Sequence, residues 1–250
     1  MATWIASIDQ ESRALVLAVA KVGLDASVPT CPEWQVRDLV QHLGGVHRWA
    51  TAHVADGRTE ALPKDETAAL MASHPGDEAL SEWFIEGHQR LCQVLAAAPA
   101  DLRCWSFLPA PSPLAFWARR QAHETEIHRA DVEFAASSQA PTFSAEIAAD
   151  GIEEMLYGFA TLLRRLELES PLQIALLPIE RPDGWVIELG PERVHAQRGP
   201  AMADCRVRGT ASDLYLWLWN RLPSTALEVD GNEEALASWR RTMRVNWSRT

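Results

Sequence analysis

The feature that most restricts the fold of this chain is a change of hydrophobic period near Ser170-Pro171. Before it, apolar residues recur at the three- and four-residue spacing of amphipathic helices; after it, they gather in short β-prone runs. Ile5, Ile8, Leu15, Val16, Val19 and Val22 mark a first helix over residues 3–25. Val28-Pro29-Thr30-Cys31-Pro32 ends it, because two prolines so close together cannot sit in a helix interior. Cys31 in that break reads as a small residue in a buried turn. Trp34 opens a second helix, running to about Ala55 with the stripe Leu39, Leu43, Val46, Trp49 and Ala50. Residues 56–76 are polar and broken by Gly57, Pro63 and Pro75, which predicts a long loop. Asp77 caps a third helix over 78–98, and Leu114–Ala136 and 144–167 supply a fourth and a fifth. Pro99 to Pro113 is a second loop.

Beyond Ser170-Pro171, strands are expected at Leu172–Leu177, Trp185–Leu189, Arg193–Gln197 and Cys205–Arg208, with a tight hairpin turn at Asp183-Gly184. A helix over Ala211–Arg221, a strand at Leu227–Val229 and a last helix around Glu233–Met243 follow. The expected architecture is therefore a helical domain over residues 1–170 and a smaller α+β domain over 171–250. Eleven tryptophans against two tyrosines provide much of the core bulk, among them Trp34, Trp49, Trp83, Trp105, Trp117, Trp217 and Trp219.

The chemistry concentrates on the fourth helix. Glu124 and His128 are four residues apart, about 40° around a helix, one turn above the other. A carboxylate and an imidazole so placed can grip one metal ion. Arg120 and Asp131 share the stripe and can orient the ligands or hold an anionic substrate. His123 and His128 are five apart, about 140° around, so the two-histidine zincin arrangement is excluded. On the second helix His42 lies within the apolar stripe, three after Leu39 and four before Val46. Alone it reads as a hydrogen-bonded core residue; with Glu124 and His128 on a facing helix it reads as a third ligand. His88, near the stripe of the third helix, is the reserve ligand, whereas His47 and His53 are expected to be partly exposed. Asp38, one turn before His42, is either an orienting carboxylate or a solvated charge. Two imidazoles and a carboxylate leave Zn²⁺ one open position, where a water or a thiol can bind.

Acidic residues outnumber basic ones 34 to 23, a formal net charge of −11, which argues against a nucleic-acid or anionic-membrane partner. No apolar run reaches membrane-spanning length, and the N-terminus lacks the pattern of a signal peptide. Four scattered cysteines without a C-x-x-C pair fit a reducing cytoplasm.

Cys31-Pro32-Glu33-Trp34-Gln35-Val36-Arg37-Asp38-Leu39-Val40-Gln41-His42-Leu43 resembles the start of the second helix in the mycothiol-dependent maleylpyruvate isomerase family. The stretch from His123 to Asp131 resembles that family's later metal-binding helix. Gly209 to Arg221, with Val229-Asp230-Gly231, is similar to its C-terminal domain, so the resemblance touches both domains. It implies a DinB-like four-helix bundle that holds a divalent metal, usually zinc, through His42, Glu124 and His128. It implies mycothiol, the low-molecular-weight thiol of actinobacteria, as cosubstrate, and a small electrophile as substrate. Transferase and isomerase chemistry are both open, with Glu124, Asp131 and Arg120 expected to act in the reaction. A non-catalytic binding protein of the same fold is the alternative. Arg221, near the end of an apolar helix, is a candidate contact for an anionic part of the thiol. A monomer or homodimer is expected.

Overall fold

The helical period of the N-terminal part becomes α1 (Ala2–Val22), α2 (Val36–Ala55), α3 (Lys64–Met71), α4 (Asp77–Ala97) and α5 (Pro113–Ala136). The computed structural model describes residues 1–162, 168, 170–199 and 203–243, and the chain divides into two units between Pro141 and Thr142. In the first unit α1 packs along α5 and α2 along α4, and the shared core includes Ile8, Leu15, Leu39, Leu43, Leu80, Phe84, Leu91 and Trp117. Each such side chain removed from water contributes roughly 1.5–3 kcal/mol, so these stripes hold the helices together. Every residue of α5 from Arg120 to Val132 is buried, although nine of these thirteen are polar or charged. α5 is the central element of its unit.

Two expectations need correction here. α2 begins at Val36, two residues after Trp34, because Gln35 caps it and Asp38 closes the capping box by accepting from the Gln35 backbone N–H at 2.8 Å. Trp34 instead turns inward and is 3 % exposed. The expected loop over 56–76 contains α3, a short helix with no buried residue of its own. Its polarity hid it, and it lies so close to α2 that a Cβ at Gly45 would meet Met71 Sδ at 2.8 Å.

The second unit starts with α6 (Ala145–Tyr157), followed by a 3-10 turn over Phe159–Leu162. Then come β1 (Leu172–Pro178), β2 (Gly184–Leu189), β3 (Val194–Gly199), β4 (Cys205–Gly209), α7 (Ala211–Leu218), β5 (Glu228–Gly231) and α8 (Glu233–Thr242). The sheet order is β3-β2-β1-β4-β5, with β1 and β4 parallel and all other pairs antiparallel. Ile174, Leu176, Ile187 and Val207 are fully buried, and the three helices pack on the strands. The division at Pro141/Thr142 corrects the expected boundary at 170. α6 carries an apolar stripe like those of the bundle, but it packs against α7, where Gly151 admits the Tyr215 ring. A Cβ there would stand 2.3 Å from that ring. Residues 163–167, expected to continue this helix, lie outside the described residues. α7 ends three residues earlier than expected; Asn220 then takes a positive φ of 59°.

The hairpin between β1 and β2 also differs from expectation. Its connection spans residues 179–183, and Gly184 is the first residue of β2 rather than half of a two-residue turn. The glycine is needed for close approach, since a Cβ would fall 2.0 Å from the Leu176 carbonyl oxygen. That obstacle is backbone and cannot rotate away. Gly184→Ala is expected to lower the unfolding free energy by roughly 1–3 kcal/mol; an unchanged denaturation midpoint would show that the strands are not in this register. No helix among the described residues is long and apolar enough to cross a membrane.

Candidate metal centre

α2 and α5 bring three donors together. His42 Nε2 lies 3.6 Å from Glu124 Oε1, and His128 Nε2 lies 3.3 Å from the same oxygen. The ligand atoms of His42, Glu124 and His128 are all within 4.8 Å of one another, and this is the group of three among the described residues able to hold a metal ion. With ligand bonds near 2.0–2.2 Å, the corners of a tetrahedron around zinc are about 3.4 Å apart. The spacing of the three donors fits such an ion. Glu124 Oε1 is buried and lacks a hydrogen bond of normal geometry, while Oε2 accepts from Arg120 Nη2 at 3.0 Å. One carboxylate oxygen is thus held in place and the other faces both imidazoles.

Asp131, fully buried, faces His128 Nδ1 across 3.0 Å. An ionised carboxylate only accepts, so Nδ1 carries the proton and the Nε2 lone pair points to Glu124 and His42. Asp131 in turn accepts from Thr30 Oγ1 at 2.6 Å. The Trp34 ring lies over the pair of histidines, 4.9 Å from the His42 ring centroid and 6.2 Å from that of His128. The His42 side chain is 19 % exposed while that of His128 is fully buried, so the centre meets solvent on the α2 side.

These neighbours set the charges. Burial pushes the Glu124 carboxyl up, but His128, His42 and the Arg120 guanidinium outweigh it and hold it well below the usual carboxylate range. Burial dominates at His42 and lowers it, which favours the neutral imidazole a metal needs. At His128 burial is opposed and overcome by Asp131 and Glu124, so this imidazole is raised. An ion entering the centre therefore competes with protons for this imidazole.

The other candidates separate from this group. His88 Nε2 lies 3.3 Å from Asp9 Oδ1 of α1, and its reserve role is not taken up in the three-donor group. His123 faces Glu126 at 3.0 Å, which also accepts from Ser7 at 2.6 Å on the α1 side. His47 and His53 are both fully buried, contrary to expectation. The Thr125 hydroxyl donates to the Gln121 carbonyl, so it accepts from His47 Nε2 at 3.0 Å, and this pairing carries His47 into the core. His53 packs against the rings of Trp105 and Trp117, with Nδ1 2.9 Å from the Trp49 carbonyl and Nε2 accepting from Leu62 N–H. Arg221, in the second unit, is buried, and its guanidinium donates to the Trp219 carbonyl at 2.9 Å. Sequence reasoning missed Thr30 and misplaced Trp34; the only signal was that Thr30 lies within, and Trp34 two residues after, the Pro-Thr-Cys-Pro break before α2.

Residues 5–133 match the mycothiol maleylpyruvate isomerase N-terminal domain, and residues 146–238 match the C-terminal domain of the same family. The chain belongs to the mycothiol maleylpyruvate isomerase family. Neither match crosses Pro141/Thr142, and all three donors fall within the family's N-terminal domain. Among solved structures, the crystal structure of the mycothiol-dependent maleylpyruvate isomerase is similar, with a TM-score of 0.63 and 13 % identity over 91 % of this chain and 92 % of that one. A histidine-to-alanine mutant of that isomerase gives the same TM-score, identity and coverage. At this identity the likeness is one of fold. No curated protein matches the chain significantly.

Proposed function

We propose that this family member is a divalent-metal-dependent enzyme that uses mycothiol to isomerise a small electrophilic substrate, with zinc as the metal. The observation supporting it is the convergence of His42, Glu124 and His128, two imidazoles and a carboxylate within 4.8 Å, on the family's N-terminal domain. When bound, the ion supplies an open position that stabilises the thiolate form of a thiol at neutral pH. In the isomerase reading, the thiolate adds to one carbon of an activated cis double bond and the electron pair moves onto the conjugated carbonyl. Rotation about the resulting single bond follows, and return of the pair expels the thiolate and leaves the trans isomer. In an S-transfer reading the same sulfur displaces a leaving group instead.

The chain's own residues hold this site in order. Arg120 fixes Glu124, and Asp131 sets the tautomer and direction of His128. Trp34 covers the imidazoles and excludes water from one side. The net charge of −11 disfavours nucleic acid as a partner, and the four free cysteines suit a reducing cytoplasm in a mycothiol-producing cell. A panel of activated alkenes and of electrophiles with leaving groups, assayed with mycothiol and with cysteine as the control thiol, tests the proposal. Turnover is expected with metal-loaded protein and mycothiol, and is expected to vanish in chelator. Metal-loaded protein that binds mycothiol yet accelerates none of these reactions would be a binding protein instead.

A further inference from the structure

The break between α1 and α2 is a closed turn rather than a slack connection. Val28 N–H donates to the Trp34 carbonyl at 3.0 Å, Cys31 N–H to Val28 at 3.0 Å and Trp34 N–H to Cys31 at 2.8 Å. Ser27 and Gln35 form an isolated bridge that seals the turn at its base. Its backbone geometry is therefore held without help from α5. From this frame the turn sends three side chains to the metal centre: Thr30 and Cys31 to Asp131, and Trp34 to the two imidazoles.

The Thr30 contact has the most definite geometry. Asp131 is fully buried, and its two oxygens have different neighbours. Oδ2 faces His128 Nδ1 at 3.0 Å and Oδ1 accepts the Thr30 hydroxyl at 2.6 Å. A carboxylate held at one oxygen can still swing about its last torsion, which is broad. A second bond at the other oxygen fixes its plane. The Cys31 thiol, 3.9 Å from Oδ2, is too weak a donor to do this alone. We propose that Thr30 is a positioning residue that fixes the plane of Asp131, thereby aims His128, and so sets the affinity of the three-donor centre for its ion. The inference rests on the metal reading of that centre. It assigns the α1–α2 turn a part in metal binding, although no residue of the turn is a ligand.

The test measures Zn²⁺ affinity by chelator competition and follows the visible spectrum of the Co²⁺-loaded protein. Groups that orient a metal ligand change affinity by about 10–100-fold when removed. Thr30→Val is expected to weaken Zn²⁺ binding by about 10-fold and alter the Co²⁺ bands, and Thr30→Ser, which keeps the hydroxyl, is expected to restore both. In an Asp131→Asn background, adding Thr30→Val should weaken binding little further, because the hydroxyl acts through Asp131. Helix content and melting in chelator guard against a folding defect, and if Thr30→Val fails to fold, Thr30→Ala removes the hydroxyl in its place, with the same outcomes expected alone, against Thr30→Ser and in the Asp131→Asn background. Wild-type affinity in Thr30→Val, no rescue by Ser, or full additivity with Asp131→Asn would each overturn the inference while leaving the metal reading intact. Wild-type protein that binds neither ion would reject the metal reading and this inference with it.

Discussion

The His128→Ala protein is expected to lose its ion and its thiol-dependent turnover together while keeping its helices. His42 and Glu124 alone would remain of the three donors. Removing a group that only orients a ligand costs up to about 100-fold in affinity, so removing a ligand should cost more. Stability should fall modestly, by about 1–3 kcal/mol, because Asp131 loses one partner but keeps Thr30. The fully buried Ile8, Leu15, Leu39, Leu43 and Leu80 still hold the bundle. Glu124→Gln should retain part of the metal affinity and change the rate, since it preserves shape but removes the charge that Arg120 faces. Metal content after dialysis, initial rates and far-ultraviolet circular dichroism read these outcomes. Undiminished turnover in His128→Ala would sink the metal mechanism.

Below neutral pH the metal-free protein should lose stability steeply, and His47 should carry much of the slope. Burial in the core depresses this imidazole to about 3. The unfolded chain titrates it near 6.5. Above 6.5 neither state binds the proton and the group contributes no pH dependence. Between 6.5 and about 3 the unfolded state takes up a proton that the folded state refuses, so stability falls by up to about 1.4 kcal/mol per pH unit. From pH 6.5 to 5 that is about 2 kcal/mol. His128, which is raised, acts in the opposite sense and above this range: its contribution is present below the unfolded value and fades as pH rises through the folded one. Glu124, which is depressed, loses its contribution only as pH falls below the normal carboxyl range. His47→Gln keeps a donor for Thr125 and removes the titration. Urea unfolding of both proteins in chelator, at pH 6.5 and pH 5, should show the variant with the shallower loss; equal slopes would mean that His47 is not the proton site.

Much of the fold was legible because the apolar residues keep their period. The stripes of α1, α2, α4 and α5 lie within a few residues of their expected limits, and so do the five strands. α6 had an unambiguous helical stripe, but a stripe does not say which partner buries it, so its assignment to the second unit was out of reach. α3 has no stripe at all. At the candidate metal centre, the four-residue spacing of Glu124 and His128 is local information, and the apolar face around His42 pointed inward. The structure brings those three together. His47 and His53 were misjudged because their burial depends on Thr125, Trp105 and Trp117, each more than fifty residues away in sequence. The bond from Thr30 to Asp131 joins positions 101 apart, and no local pattern announces it.

The burial of α5 on all sides bears on how many ways this chain can pack. A helix with an apolar stripe can slide by a turn along its neighbour and still bury oil against oil. α5 cannot, because its buried charges each meet a particular mate: Glu126 faces Ser7 and His123, and Arg129 faces Glu11 and Glu133. Sliding α5 by one turn against α1 would strand Glu11, Glu126 and Arg129 without water, at a cost of several kcal/mol for each ion. Such a penalty adds little to the stability of the correct arrangement, yet it raises the energy of the shifted alternatives. The polar helix thus works as an index mark, allowing the greasy helices around it one alignment, the same alignment that sets His42 opposite Glu124 and His128.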